Sequence, residues 1–274
     1  MTATSTGFDW SAVAPGWDRY RDRAEQAVGE VTTRVLGALA ARPGERVLEL
    51  GAGTGELARR IAAAVSPTGS VLATDAAAGM VALCAQTLAD VPHAEVATVD
   101  AAAPGLPDQA FDAAVFVMGL MFVVEQEKAA QELRRVLRPE GRVVVTTWAS
   151  PERNPWLVGV GMAAAMNGVT AGGPPVEPGG LFSLGDAARL RGVLEAGGLR
   201  EVRVEEVPLT LRYDDADAWF DTVSALAGPL SVALASRPDA HDAVRATATG
   251  FAAPYLAEDG LAMPGVALLA TARA

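Results

Sequence analysis

Between residues 46 and 57 an apolar strand, Arg46-Val47-Leu48-Glu49-Leu50, runs straight into Gly51-Ala52-Gly53-Thr54-Gly55 and then into a helical pattern over 56–65. Three glycines at alternate positions open φ values closed to other residues and leave no Cβ between the main chain and a bound molecule. The loop opens a helix whose first N–H groups are unsatisfied and whose dipole is positive at that end, which favours an anionic or electron-rich group. A plain tight turn between strand and helix needs one or two glycines. The third points to a small polar cofactor.

The spacing separates the obvious cofactors. A dinucleotide fingerprint wants a glycine three residues after the second one, where strand and helix pack tightly, and here that position is Glu56. Glu49 stands two residues before the first glycine, where it would repel a pyrophosphate. S-adenosylmethionine carries an ammonium and a sulfonium instead, and an acidic, glycine-lined turn suits it. With Glu49-x-Gly51-x-Gly53-x-Gly55 in place, the chain resembles the class I S-adenosylmethionine-dependent methyltransferases, and closely so over 46–148, most like the ubiquinone/menaquinone-biosynthesis-like (methyltransferase type 11) group of small-molecule enzymes. That resemblance implies an α/β, Rossmann-like fold. It would have a seven-stranded, mostly parallel sheet with an antiparallel last strand, helices on both faces and helical cap insertions.

The rest of the core follows the same resemblance. A buried strand over 70–75 ends in Asp75, twenty residues past Gly55, where a carboxylate at a strand's carboxyl end can accept both hydroxyls of a ribose; Ala76 follows it. Met80, Leu83, Cys84, Thr87 and Leu88 mark one helix face, so Cys84 reads as core, and Met80 as core or as a cover for adenine. A third strand over 94–99 ends at Asp100-Ala101, the pair that in the family holds the adenine amine. Asp112, entering a fourth strand over 113–118, lies at the far end and reads as structural; Val117 and Met118 close that strand on the cofactor side. An amphipathic helix over 126–138 and a fifth strand over 142–148 complete the core.

Around it, 1–45 reads as an N-terminal helical lid, with one amphipathic helix over 23–41. Its Trp17 and Tyr20 either close the site or anchor the segment to the core. Segments 149–184 and 214–261 read as caps over the substrate, the first carrying Trp156 and Met162 on a helix and following Trp148; a short strand over 266–272 ends the single domain of 1–274.

Net charge of -11 argues against nucleic-acid backbones and anionic membranes as partners, and no apolar run is long enough to span a bilayer. Residues 1–7 lack a secretory pattern, and a single cysteine suits a reducing cytoplasm. A monomer or homodimer is expected, with no metal. The apolar stretch Val117-Met118-Gly119-Leu120-Met121, where amide and base methylating relatives carry a polar, proline-rich motif, favours a small apolar or aromatic acceptor methylated on oxygen, carbon or nitrogen. A catalytic base is not identified: His93 reads as a surface residue, and His241 as either a solvated residue or the base. That gap leaves room for an alternative, a chain that holds the cofactor without transferring its methyl group.

Overall fold

The computed structural model describes residues 7–274, so most of the 1–7 stretch and the first part of the expected lid lie outside the described residues. The strands β1 (Arg46–Leu50), β2 (Ser70–Asp75), β3 (Ala94–Thr98), β4 (Phe111–Val117) and β5 (Leu137–Trp148) form a parallel set. Beyond them β8 (Gly260–Arg273) runs antiparallel between β5 and β6 (Arg200–Tyr213), and the order across the sheet is β3-β2-β1-β4-β5-β8-β6. A two-residue strand, β7 (Leu256–Ala257), pairs with the start of β8. Only the first residue of β1 is exposed because helices cover both faces, which is why the strand reads as a nearly continuous apolar run. The chain crosses to opposite sides of β1 to reach β2 and β4, so the carboxyl ends of β1 and β4 border the crevice where such sheets place their ligands.

The chain also forms the helices α1 (Ala14–Arg19), α6 (Gln126–Val136) and α8 (Ala187–Ala196); α4 (Glu56–Val65) turns Ala58, Ile61, Ala62 and Val65 onto the sheet, and α5 (Ala78–Thr87) buries Met80, Cys84 and Thr87. At the opposite end of the sheet Arg142 of β5 grips Glu45, its Nη1 donating to Oε1 at 2.9 Å, while its Nε donates to the Leu39 carbonyl at 2.8 Å. Asp112 accepts the Arg46 N–H at 2.8 Å there, far from the crevice, in keeping with a structural role.

The two segments expected to be caps form a helical layer of α7 (Pro155–Met166), α9 (Ala216–Leu226), α10 (Pro229–Ala235) and α11 (His241–Ala252). Asn154 fastens this layer to the sheet: wholly buried, it donates to the Ala149 and Val266 carbonyls at 3.1 and 3.0 Å and accepts from Val266 N–H at 3.0 Å. Trp219 of α9 donates its indole N–H to the Trp156 carbonyl at 2.9 Å.

Three expectations need correction. The helix over 23–41 is two, α2 (Arg21–Ala27) and α3 (Gly29–Leu39), broken beside Gly29 at Val28, whose φ of -105° and ψ of 11° leave the helical range. The last strand is 14 residues long: Pro264 and Gly265 lie where β5 has already ended and β8 is paired only with β6, a position open to proline. His93 is half-buried, its Nε2 2.9 Å from the Ala62 carbonyl, so it ties α4 to the start of β3. Among the described residues no single helix is long and apolar enough to cross a membrane; α9 and α10 pass that test only together, across a 106° bend.

Candidate functional site

A cavity of about 760 Å³ opens at the carboxyl ends of β1, β2, β4 and β5, beneath the caps. Its floor is the glycine turn, where the three glycines have different duties. Gly51, at φ 65°, faces the Phe116 ring: a Cβ there would stand 3.0 Å from Cε2. Gly55, at φ 89°, faces away from the cavity, and its Cβ would meet Cys84 Sγ at 2.9 Å. Gly53, at φ 54°, faces open space with nothing within 4 Å. So Gly53 presents bare backbone to the cavity, whereas Gly55, expected in the cofactor site, packs against Cys84 of α5.

Two carboxyl groups border this floor. Glu49 is 2% exposed, its Oε2 has no hydrogen-bond partner, and burial beside the Asp75 charge pushes its pKa up to about 8. An unpaired buried carboxyl costs stability unless something cationic or hydrogen-bonding meets it. Asp75 is raised by burial too, although N–H groups of Gly53 and Ala77 oppose this, donating to Oδ2 and Oδ1 at 3.1 and 2.9 Å. Ala76, Met80, Ala101, Val117 and Met118 line the same end, together with Ala52. Met118 holds φ at 51°, unusual for a side chain of its size, with its N–H donated to the Thr146 carbonyl at 3.0 Å. Asp100 lies outside the lining, its Oδ1 turned back onto the Ala102 N–H at 2.9 Å, and leaves Ala101 to face the cavity.

The remaining wall is apolar and aromatic. Trp148 and Trp156 meet edge to face with centroids 5.0 Å apart, and Trp10 tilts onto Phe122 at 4.6 Å. Trp17 lines the cavity with a buried indole N–H that has no partner. Tyr20 does not line it: the ring is half-exposed under the Arg19 guanidinium. Met162 is also outside, exposed on α7 with its sulfur against Gly173. His241 does not line this cavity; it starts α11, its ring edge-on to Phe220 at 5.4 Å.

Several lining residues escaped the sequence reading. Arg21 joins Glu56 at 3.1 Å and Asp18 at 2.9 Å, and Arg60 pairs with Glu25, forming a charged rim that reads in sequence as solvated helix faces. Tyr213, whose buried phenol is pushed above its usual pKa, ends β6 on the same edge of the sheet as Trp148, because two antiparallel steps make β6 parallel to β5. That parity is a signal the sequence does carry. Among the described residues lining the cavity there is no histidine, lysine or cysteine, and no group of three potential metal ligands occurs anywhere in the described residues.

Residues 47–141 match the family described as Methyltransferase domain, a match that ends before both caps. The ubiquinone/menaquinone biosynthesis C-methyltransferase UbiE of Ectopseudomonas mendocina (strain ymp) is 36% identical over 122 residues, 43% of this chain and 47% of that protein. The chain thus spans about half the length of the curated relatives it matches. Among solved structures, the [4+2]-cyclase SpnF superposes with a TM-score of 0.56 at 24% identity, covering 90% of this chain and 81% of that one. An S-adenosylmethionine-dependent methyltransferase from Aquifex aeolicus does so with 0.51 at 24% identity, covering 64% and 83%. These likenesses establish the fold.

Proposed function

We propose that this chain, whose core is a class I S-adenosylmethionine-dependent methyltransferase domain, transfers a methyl group to a small apolar or aromatic acceptor. One observation carries the reading: the unpartnered, buried Glu49 carboxyl sits at a bare-backbone turn that opens into an aromatic cavity. In it Glu49 would hold the cofactor's ammonium, Asp75 its ribose hydroxyls, and Met80 and Ala101 its adenine. When bound, S-adenosylmethionine supplies a methyl group on a sulfonium, for in-line displacement by the acceptor.

The chain's contribution is then orientation and exclusion of water. Trp148, Trp156 and Phe122 give the acceptor flat apolar walls, and the caps cover it. A cavity of about 760 Å³ lies toward the upper end of the roughly 300–1,000 Å³ typical of small-molecule sites, as a cofactor and an acceptor together require. An aromatic acceptor is in keeping with relatives named for quinone C-methylation, while the caps outside the matched region would set its identity.

A second reading keeps the cofactor without the transfer. The lack of a histidine, lysine or cysteine in the described lining favours it, and the [4+2]-cyclase shares the fold. The test is incubation with S-adenosylmethionine and a panel of apolar phenols, quinols and amines, with products quantified against S-adenosylhomocysteine. Equal amounts support transfer; product without S-adenosylhomocysteine supports the second reading.

A further inference from the structure

Trp10 and Ser11 are adjacent in sequence and touch different elements: Trp10 lines the cavity beside Phe122, while Ser11, outside the lining, reaches α5. Ser11 Oγ accepts the Gly79 N–H at 3.0 Å, which caps the first turn of α5 from another segment; the helix's own N-cap is Ala77, with no side chain able to do so. Contact is close enough that a Cβ on Gly79 would stand 2.9 Å from Ser11 Cα and 3.1 Å from Ala14 Cβ. That turn follows Asp75 and carries Met80, so Ser11 holds the cofactor end of the cavity.

Trp10 faces the caps. Its ring lies where a Cβ on Gly228 would come within 2.9 Å, and it tilts onto Phe122 at 4.6 Å. Gly228 joins α9 to α10 at φ 53° and ψ -114°, a conformation for glycine alone. A few residues on, a Cβ on Gly16 would stand 2.5 Å from the Ala225 carbonyl oxygen of α9. The side chain of Asp9 accepts the Ser11 N–H at 2.9 Å and so fixes the short helical turn Trp10–Val13 from which the two side chains diverge.

Resting on the cofactor reading above, we propose that Trp10 and Ser11 are positioning residues that link capture of S-adenosylmethionine at α5 to closure of the α9–α10 turn over the acceptor. Order imposed on the start of α5 holds Ser11, and Trp10 follows because one capped turn carries both. The indole is thereby held in its contacts with Gly228 and Phe122. Linkage of this kind is reciprocal, so an acceptor that closes α9–α10 tightens cofactor binding by the same factor.

The probe is S-adenosylhomocysteine, held at saturation, with hydrogen exchange read over residues 216–235 in the wild type, Trp10→Ala, Trp10→Phe and Ser11→Ala, and occupancy checked by calorimetry. Slowing of exchange by about tenfold in the wild type is expected. It should be absent in Trp10→Ala and Ser11→Ala at equal occupancy and restored in Trp10→Phe. Equal protection in the wild type and Trp10→Ala, or none in a wild type that binds the probe, overturns the linkage alone. A folded wild type that does not bind S-adenosylhomocysteine overturns the cofactor reading, and the linkage with it.

Discussion

Gly53 donates its N–H to Asp75 Oδ2 at 3.1 Å, so the turn after β1 is held to the end of β2 by a carboxylate that also borders the cavity. Removing it costs both the turn and the ligand contact. Hydrogen bonds to a charged group are worth about 1.5–3 kcal/mol. Asp75→Ala should therefore weaken S-adenosylhomocysteine binding roughly 10- to 150-fold by calorimetry, and Asp75→Asn, which keeps one acceptor oxygen, should weaken it less.

Gly53 itself can be tested apart from stability. Its position is open, so the Cβ of Gly53→Val meets no atom within 4 Å in the free protein, and its folding penalty is the left-handed backbone, at least about 1–2 kcal/mol. Binding of S-adenosylhomocysteine should be lost while a cooperative thermal transition remains. Retained binding would remove Gly53 from the site.

Glu49 gives a pH dependence whose sign is fixed. Its pKa is about 8 when folded and returns to about 4.3 when unfolded. Between those values the folded chain holds a proton that the unfolded chain has lost, so this stabilising contribution is full below about pH 4 and is lost as the pH rises toward 8. A bound cation favours the carboxylate instead. Near pH 6.5, calorimetry in buffers of differing ionisation enthalpy should show up to about one proton released per S-adenosylhomocysteine bound, and none with Glu49→Gln. Identical proton release in both proteins would rule Glu49 out as the source.

The core was legible because each of its elements repeats one signal: Val47-Leu48 and Val71-Leu72 are buried on both sheet faces, and Ile61 and Val65 follow helical spacing. Glycines alone did not reveal direction. Gly53 and Gly55 look alike in sequence, and only the approach of Cys84 shows that the second points into packing. Met162 and Trp156 differ for a plainer reason: six residues apart on α7 they stand about 240° apart around the helix, and only Trp156 reaches the cavity. Arg21 could not be told from a solvated arginine, because its partner Glu56 is 35 residues away.

Packing at Gly55 predicts a large penalty for a small change. Gly55→Ala places a Cβ 2.9 Å from Cys84 Sγ and 3.2 Å from its Cα at φ 89°. Left-handed strain of about 1–2 kcal/mol and overpacking of about 1–3 kcal/mol together give a loss of about 2–5 kcal/mol in denaturant unfolding. Cys84, 1% exposed with its thiol pushed up to about 12, should react with thiol reagents only as fast as the protein opens.

Asn154 should be the most costly polar residue to lose from the cap. Asn154→Leu strands the Val266 N–H and the Ala149 carbonyl in a dry interior and leaves the Val266 carbonyl with only the Ala149 N–H. At about 1–3 kcal/mol for each unsatisfied group, partly relieved by relaxation, a loss of at least about 2 kcal/mol is expected in denaturant unfolding. A loss below about 0.5 kcal/mol, the range of ordinary surface substitutions, would show that the cap is fastened elsewhere.

The most direct measurement is a calorimetric titration of the wild-type chain with S-adenosylhomocysteine and, separately, with a nicotinamide dinucleotide. Glu49, unpartnered beside bare Gly53 backbone, requires the first to bind in the micromolar range or tighter and the second not to bind. Binding of the dinucleotide with no heat from S-adenosylhomocysteine would contradict the cofactor site and the methyl transfer built on it.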